Sequence, residues 1–240
     1  MITRRPRAVT FDFWNTLFEP GRDTLRLRAL RLAGWLEAPE EAVRTALVDA
    51  FELHNAEWRA GRCWGPRELA ELLLRRFGPH AGAVDGRLEE LTELVEVSGV
   101  SAGERVVDGA ADVIQRLRRA GLRLGVVSDT GFSPGRVLRR FLDGAGLLQH
   151  FETAALTFSD EVGVPKPDPR IFRAAATGLG VQPVEIVHVG DLRGTDVAGA
   201  QAMGMGSVRF AGCHDDRGQG PEADAVIARL SDLPAALALD

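Results

Sequence analysis

A chain of 240 residues that is 45% hydrophobic and 26% charged has the apolar mass for one sizeable core, or a core with a small second domain, which excludes disorder, collagen and coiled coil. Its 29 Lys+Arg are scattered among 34 Asp+Glu, for a net charge of -5, so no basic stripe marks nucleic acid as a partner. No apolar run has signal-peptide length or the ~20 residues of a membrane span, and a cytoplasmic protein without a membrane partner is expected.

Residues Arg7 to Phe13 mix β-branched and aromatic side chains and run into Trp14-Asn15-Thr16, the pattern of a buried strand ending in a polar turn. From Asp23 to about Val97 the period changes. Leu25, Leu27, Leu30, Leu32 and Leu36, then Val43, Leu47, Phe51 and Leu53, then Leu69, Leu72, Leu73 and Phe77 recur at helical spacing. Pro39 and Pro66 stand at first-turn positions, and Gly61 and Gly78-Pro79 break the runs. This block is expected to hold helices and no strand.

After Gly103 helix and strand alternate. A helix is predicted from about Ala110 to Ala120, stopping at Gly121, then a strand from Leu122 to Val127, a helix from Gly135 to Leu142 and a short strand near Thr153 to Leu156. A helix from Pro169 to Gly178, a strand from Glu185 to Val189 and a helix from about Thr195 to Met203 follow, and Gly206 to Phe210 and Ala223 to Ile227 read as last short strands. Strict alternation implies a parallel sheet with helices on both faces. The expected fold is therefore α/β: a Rossmann-like parallel sheet core of residues 1–18 and 104–240, with an inserted all-helical cap domain at 19–103. Residues Gly212 to Gly220 read as a polar surface loop.

Ligands of open parallel sheets bind at the carboxyl ends of the strands. The first predicted strand ends at Asp12, the second at Ser128-Asp129, and the fourth at Gly190-Asp191, with Asp196 five residues on; Lys166 lies on the loop after the third, between Pro165 and Pro167. Lys166 is the one lysine among the 29 basic residues, and a compact ammonium is not interchangeable with the planar guanidinium used everywhere else. A lone loop aspartate is an ordinary capping or turn residue, but three in one cleft repel, and at least one has to hold a proton. A hard divalent cation removes that conflict, and carboxylate, carbonyl and water oxygens are what Mg²⁺ prefers.

These residues resemble the haloacid dehalogenase-like (HAD) superfamily of aspartate-nucleophile hydrolases. Four motifs match in order: the Asp-initiated loop Asp12 to Leu17, Ser128 at a strand end, Lys166 in Lys-Pro-Asp-Pro, and Gly-Asp-x-x-x-x-Asp from Gly190 to Asp196. The helical insertion resembles the C1-type cap of that superfamily. The resemblance implies that Asp12 attacks phosphorus and becomes an aspartyl-phosphate, that Ser128 and the backbone N–H of Asp129 hold phosphate oxygens, and that Lys166 neutralises the developing charge. It implies Mg²⁺ held by Asp12, Asp191 and the backbone carbonyl of Trp14, with Asp196 as a ligand or a hydrogen-bonding neighbour of one. Thr16 is expected to order the loop by hydrogen bonding or to cap its turn. Asn15 replaces the usual glycine with the next residue tolerant of a left-handed backbone.

Trp14 departs from the pattern. Phosphatases of the superfamily usually carry there a second Asp, which protonates the leaving group and later activates water, and an indole does neither. Such help is typically worth about 10²- to 10⁴-fold, or about 3 to 5 kcal/mol of barrier, so acyl phosphates and activated esters, which need no proton, should suffer least. Asp129 is the nearest substitute acid, although adjacent strand residues point to opposite faces. The implied function is a Mg²⁺-dependent phosphatase acting on a small phosphorylated substrate. Two alternatives stand beside it. One is an attenuated Mg²⁺- and phosphate-binding sensor or interaction protein; the other is a 2-haloacid dehalogenase, whose relatives have an aromatic tyrosine at the Trp14 position but lack the fourth-motif carboxylate pair.

In the cap, Trp58, Arg59, Arg62 and Trp64 either face the cleft or are two core tryptophans beside two solvated arginines. Neither His54, His80, His150 and His214 nor Cys63 and Cys213 have ligand spacing, and the cysteines are expected to be free thiols. His188, inside a predicted strand, is expected to be a hydrogen-bonded core residue. No heptad seam or interface stripe marks an oligomeric state.

Overall fold

The computed structural model describes residues 5–78, 84–100 and 103–239. Strand β1 (Ala8–Phe11) leads through the two-residue β2 (Phe18–Glu19) into four helices, α1 (Thr24–Leu36), α2 (Glu40–Arg59), α3 (Pro66–Phe77) and α4 (Val84–Ser98). The chain returns through β3 (Arg105–Val106) and then alternates: α5 (Ala110–Arg119), β4 (Arg123–Ser128), α6 (Gly135–Gly144), β5 (Leu156–Phe158), α7 (Ser159–Val162), α8 (Pro169–Leu179), β6 (Ile186–Gly190), α9 (Ala198–Ala202), β7 (Gly206–Phe210), β8 (Ala225–Ile227) and α10 (Leu233–Ala236).

Six strands form one sheet in the order β5-β4-β1-β6-β7-β8, and every pairing within it is parallel. β1 lies between β4 and β6, with Phe11 opposite Val126 and Val189. Every residue of β1 and β6 is buried, as a strand covered by helices on both faces must be. The period of two divides that burial: Val9 and Phe11 join a cluster with Val113, Ile114 and Leu117 of α5, while Ala8 joins one with Ile171, Phe172 and Ala175 of α8. A third cluster, centred on Leu32, Leu47, Leu69, Leu73 and Leu91 of α1 to α4, also takes in Phe132 from the loop after β4. Helix ends follow local chemistry, as at α8, where the Asp168 side chain caps the Arg170 N–H at 2.8 Å and Pro169 occupies the first turn.

The predicted alternation holds, with shifted ends. The strand expected near Thr153 begins only at Leu156, where pairing with Val126 starts; Thr153–Ala155 form a 3₁₀ turn. That turn lies against α8, where a Cβ on Gly178 would come within 1.9 Å of Ala154 O, so the close approach of helix and turn displaces the strand. The helix expected from Thr195 opens as a π-helical turn, Arg193–Val197, before α9. No strand interrupts the expected helical block among the described residues. The antiparallel pair β2 and β3, which sets Phe18 opposite Val106 and Glu19 opposite Arg105, was not legible because two-residue strands carry no period. No helix among the described residues is long and apolar enough to cross a membrane.

Candidate functional site

Because β4, β1 and β6 are neighbours, their carboxyl ends bring Ser128, Asp12 and Asp191 to one edge of the sheet. Asp12 still belongs to the ladder, its N–H donating to Val189 O at 2.8 Å, and the chain then turns. Asn15 makes that turn at φ 57°, the left-handed backbone asparagine tolerates, and its Nδ2 donates to Asp191 Oδ2 at 3.5 Å. Thr16 does not make the hydrogen bond expected of it, since its Oγ1 is buried without a partner among the described residues. The loop is ordered by backbone bonds instead, with Leu17 N and Phe18 N both donating to Phe13 O at 2.9 Å.

Lys166 projects from the segment between α7 and α8, and the Lys166–Pro167 peptide is cis. Its buried ammonium donates to Asp12 Oδ1 at 2.5 Å and to Asp196 Oδ1 at 2.7 Å. Asp196 is held on its other side, where Oδ2 accepts from Leu192 N and Oδ1 from His188 Nε2, both at 3.0 Å. Gly190 makes room for this carboxylate, because a Cβ there would lie 2.3 Å from Asp196 Cγ. One oxygen from each of Asp12, Asp191 and Asp196 lies within 4.8 Å of the others, and all three residues are buried.

Burial pushes the Asp12 carboxyl well above the ordinary range, against the pull of Lys166, and the Asp196 and Asp191 charges add to the push. Burial likewise raises Asp191 to about 6, helped by Asp196 and opposed by His214 and Lys166. Asp196 is buried too, but Lys166 and His188 outweigh the desolvation and hold it below the usual carboxylate range. Burial alone would discharge Lys166, yet Asp12, Asp196 and Asp129 raise it above its ordinary value. One ammonium therefore faces three carboxylates in a site shielded from water. Their all-oxygen donor set is of the kind a hard divalent cation takes.

Ser128 Oγ is buried and donates to Asp129 O at 3.0 Å. Both Asp129 oxygens are engaged: Oδ1 accepts from Lys166 N at 2.9 Å, and Oδ2 accepts from Trp58 Nε1 of α2 at 2.8 Å. Asp129 thus ties the helical insertion to the strand-end loop. Of the other cap residues singled out, Arg59 is exposed, Arg62 pairs with Glu57, and Trp64 packs on Phe132 at 5.7 Å between ring centroids. Trp14 meets the rings of Phe13 and Phe141 edge-on at 4.9 and 5.9 Å. Its indole also lines a cavity of about 340 Å³ between the strand ends and α1 and α2, where Arg28, His54, Asn55 and Trp58 face the Asp129–Phe132 loop.

Three histidines stand nearer this chemistry than their spacing suggested. His188 is the expected core residue, with Nδ1 2.9 Å from Thr10 Oγ1, but its Nε2 supports Asp196. Its signal was the period of two that puts it on the face of Gly190. His214, from the loop read as plain surface, places Nδ1 2.9 Å from Asp191 Oδ2. His54 contacts Trp64 O through Nδ1 at 2.7 Å and lines the cavity. No sequence signal marked the last two. His150 is not among the described residues that line the cavity, His80 lies outside the described residues, and Cys63 and Cys213 are free, as expected.

Residues 6–204 match the family model of haloacid dehalogenase-like hydrolases. Haloacid dehalogenase-like hydrolase domain-containing protein 3 of Mus musculus is 44% identical over 108 residues, which are 45% of this chain and 41% of that protein, so the chain spans under half of that relative's length. The phosphoserine phosphatase of Thermus thermophilus is 41% identical over 193 residues, 78% of this chain and 70% of that one. Among solved structures, a HAD phosphatase from Thermococcus onnurineus superposes with a TM-score of 0.64 at 27% identity, covering 96% of this chain and 97% of the other.

Proposed function

The chain belongs to the haloacid dehalogenase-like hydrolase family, and from that premise we propose that it is a Mg²⁺-dependent phosphatase that cleaves a small phosphate monoester through an aspartyl-phosphate on Asp12. The observation that carries this reading is the pairing of Asp12 with Lys166 beside two further buried carboxylates at the strand ends. The phosphatase names of relatives in Thermus and Thermococcus support it. An Asp12 oxygen attacks phosphorus, the P–O bond to the leaving group breaks, and water then cleaves the acyl phosphate to return the carboxylate and release phosphate. Ser128 Oγ and Asp129 N–H hold phosphate oxygens, and the Lys166 ammonium offsets the charge that builds on them. Asp12, Asp191, Asp196 and the Trp14 carbonyl would hold Mg²⁺, which supplies charge neutralisation and orientation of the phosphate. With an indole at position 14, the departing oxygen takes its proton from solvent. The same carboxylate cluster argues against dehalogenation, because a cation held beside Asp12 blunts its attack on carbon.

Phosphate release from acetyl phosphate, aryl phosphates and sugar phosphates, with and without Mg²⁺, tests the proposal. Release is expected only with metal, and in the order acetyl, aryl, sugar. No release from any ester, together with a melting shift on adding beryllium fluoride and Mg²⁺, would replace the phosphatase with the phosphate-binding sensor.

A pH experiment follows from the crowded carboxylates. Unfolded Asp191 titrates near 3.8 and folded Asp191 at about 6. The stability this group contributes is therefore full below the lower value and lost as pH rises through the upper one. Asp12, also raised, acts in the same direction, whereas Asp196, held low, matters only as pH falls below its ordinary 3.8. His188, held below its ordinary value by burial, opposes them in this interval, but the two raised aspartates outweigh one histidine, and metal-free protein is expected to melt on the order of 5 °C lower at about pH 7.5 than at about pH 5. Mg²⁺ should recover more at the higher pH. Thermal melts at both values check this, and a metal-free Tm that rises across the interval would contradict it.

A further inference from the structure

Arg28 of α1 is only 3% exposed, yet none of the described residues supplies it with a carboxylate. Its Nη1 donates to Val95 O at 3.0 Å, and its Nε is buried with no hydrogen-bond partner among the described residues. Capping the end of α4 does not account for it, because Ser98 Oγ already donates to Val95 O at 2.7 Å and Arg31 donates to Val97 O, Ser98 O and Val100 O at 2.8 to 3.1 Å. Burial lowers Arg28 only to about 10, so it remains a cation at neutral pH. A buried and incompletely bonded charge is costly unless something pairs with it.

Arg28 lines the same cavity as Trp14 and the Asp129–Phe132 loop, and it is the only Lys or Arg among the described lining residues. Its guanidinium carbon lies 5.3 Å from the centroid of Phe132, and Phe132 follows Ser128 by four residues, a chain length of at most about 14 Å. Asp129, which follows Ser128 and accepts from Lys166 N at 2.9 Å, lines this cavity too, so a substrate whose phosphate sits at Ser128 and Lys166 extends toward Arg28. Glu104 and Asp129 also line the cavity. Glu104 disfavours a second strongly charged phosphate there, and one guanidinium balances one carboxylate through its planar fork.

We propose that Arg28 binds a carboxylate carried by the phosphate monoester, so that the preferred substrates are small phosphorylated carboxylic acids. This rests on the phosphatase reading for the position of the phosphate. 3-Phosphoglycerate and glycerol 3-phosphate differ by that carboxylate and make the comparison. The acid is expected to be preferred roughly ten- to hundredfold in kcat/KM, mostly through KM. Arg28→Gln should bring the ratio toward one, and Arg28→Lys, which keeps the charge without the fork, should restore part of it. Equal kcat/KM values in the wild type, or a variant that weakens both esters alike, would overturn the assignment and leave the phosphatase standing.

Equilibrium binding separates the two claims. With Mg²⁺ present, the wild-type protein should bind 3-phosphonopropionate tighter than propylphosphonate by a similar factor, whether or not any ester turns over. Failure of every ester would defeat the phosphatase reading alone. Equal binding of the two phosphonates would defeat the Arg28 assignment, even if neither variant folds.

Discussion

Replacing Asp12 by asparagine is expected to lower phosphate release on the order of 10⁴-fold or more, because the amide keeps the size of the carboxylate and loses the oxygen that the proposed mechanism uses to attack phosphorus. The same substitution removes one of three buried carboxylates that share a single ammonium. Lys166 keeps its bond to Asp196 at 2.7 Å, so the fold has little reason to suffer. Burial already pushes Asp12 toward its neutral form, and metal-free Asp12→Asn should melt no lower than the wild type at neutral pH. Loss of turnover with an unchanged or raised Tm is the expected pair of results. Turnover within tenfold of the wild type would remove Asp12 from the role of nucleophile.

Trp14→Asp is the second large change, and its direction is a gain. For esters with poor leaving groups, restoring a carboxyl at this position is expected to raise kcat by about 10²- to 10⁴-fold, the usual worth of positioned acid–base help. Acetyl phosphate, whose leaving group needs no proton, should change little. The substitution also takes an indole out of its edge-on contacts with Phe13 and Phe141 at 4.9 and 5.9 Å, so stability should fall by about 1 to 3 kcal/mol for a side chain that is only half-buried. The diagnostic is the slope of log kcat against leaving-group pKa, which should flatten in the variant. An unchanged slope would show that the indole is not what limits the enzyme.

The residue types of the site were legible because each motif is local. An Asp just past a strand, a Gly-Asp followed by Asp196, and a single lysine between two prolines are patterns within a few positions, and alternation of strand and helix implied that they share one sheet edge. The left-handed turn at Asn15 was equally local. Thr16 was misread for the complementary reason: its burial depends on what surrounds the loop, and the backbone bonds of Phe13 left its hydroxyl nothing to do.

By itself, then, the sequence determined the α/β class, the helical insertion and the polar residues that stand at the strand ends, since periodicity, turn chemistry and residue type act over one or two turns of chain. Tertiary structure decided which groups meet. Trp58 donates to Asp129 across 71 positions, His214 reaches Asp191 across 23, and Arg28 meets the end of α4 across 67. None of these pairs shares a period or a motif. Each depends on how the helical insertion and the loop after β7 lie over the strand ends, and such contacts are set by packing and by the pairing of buried charge, neither of which has a fixed spacing along the chain.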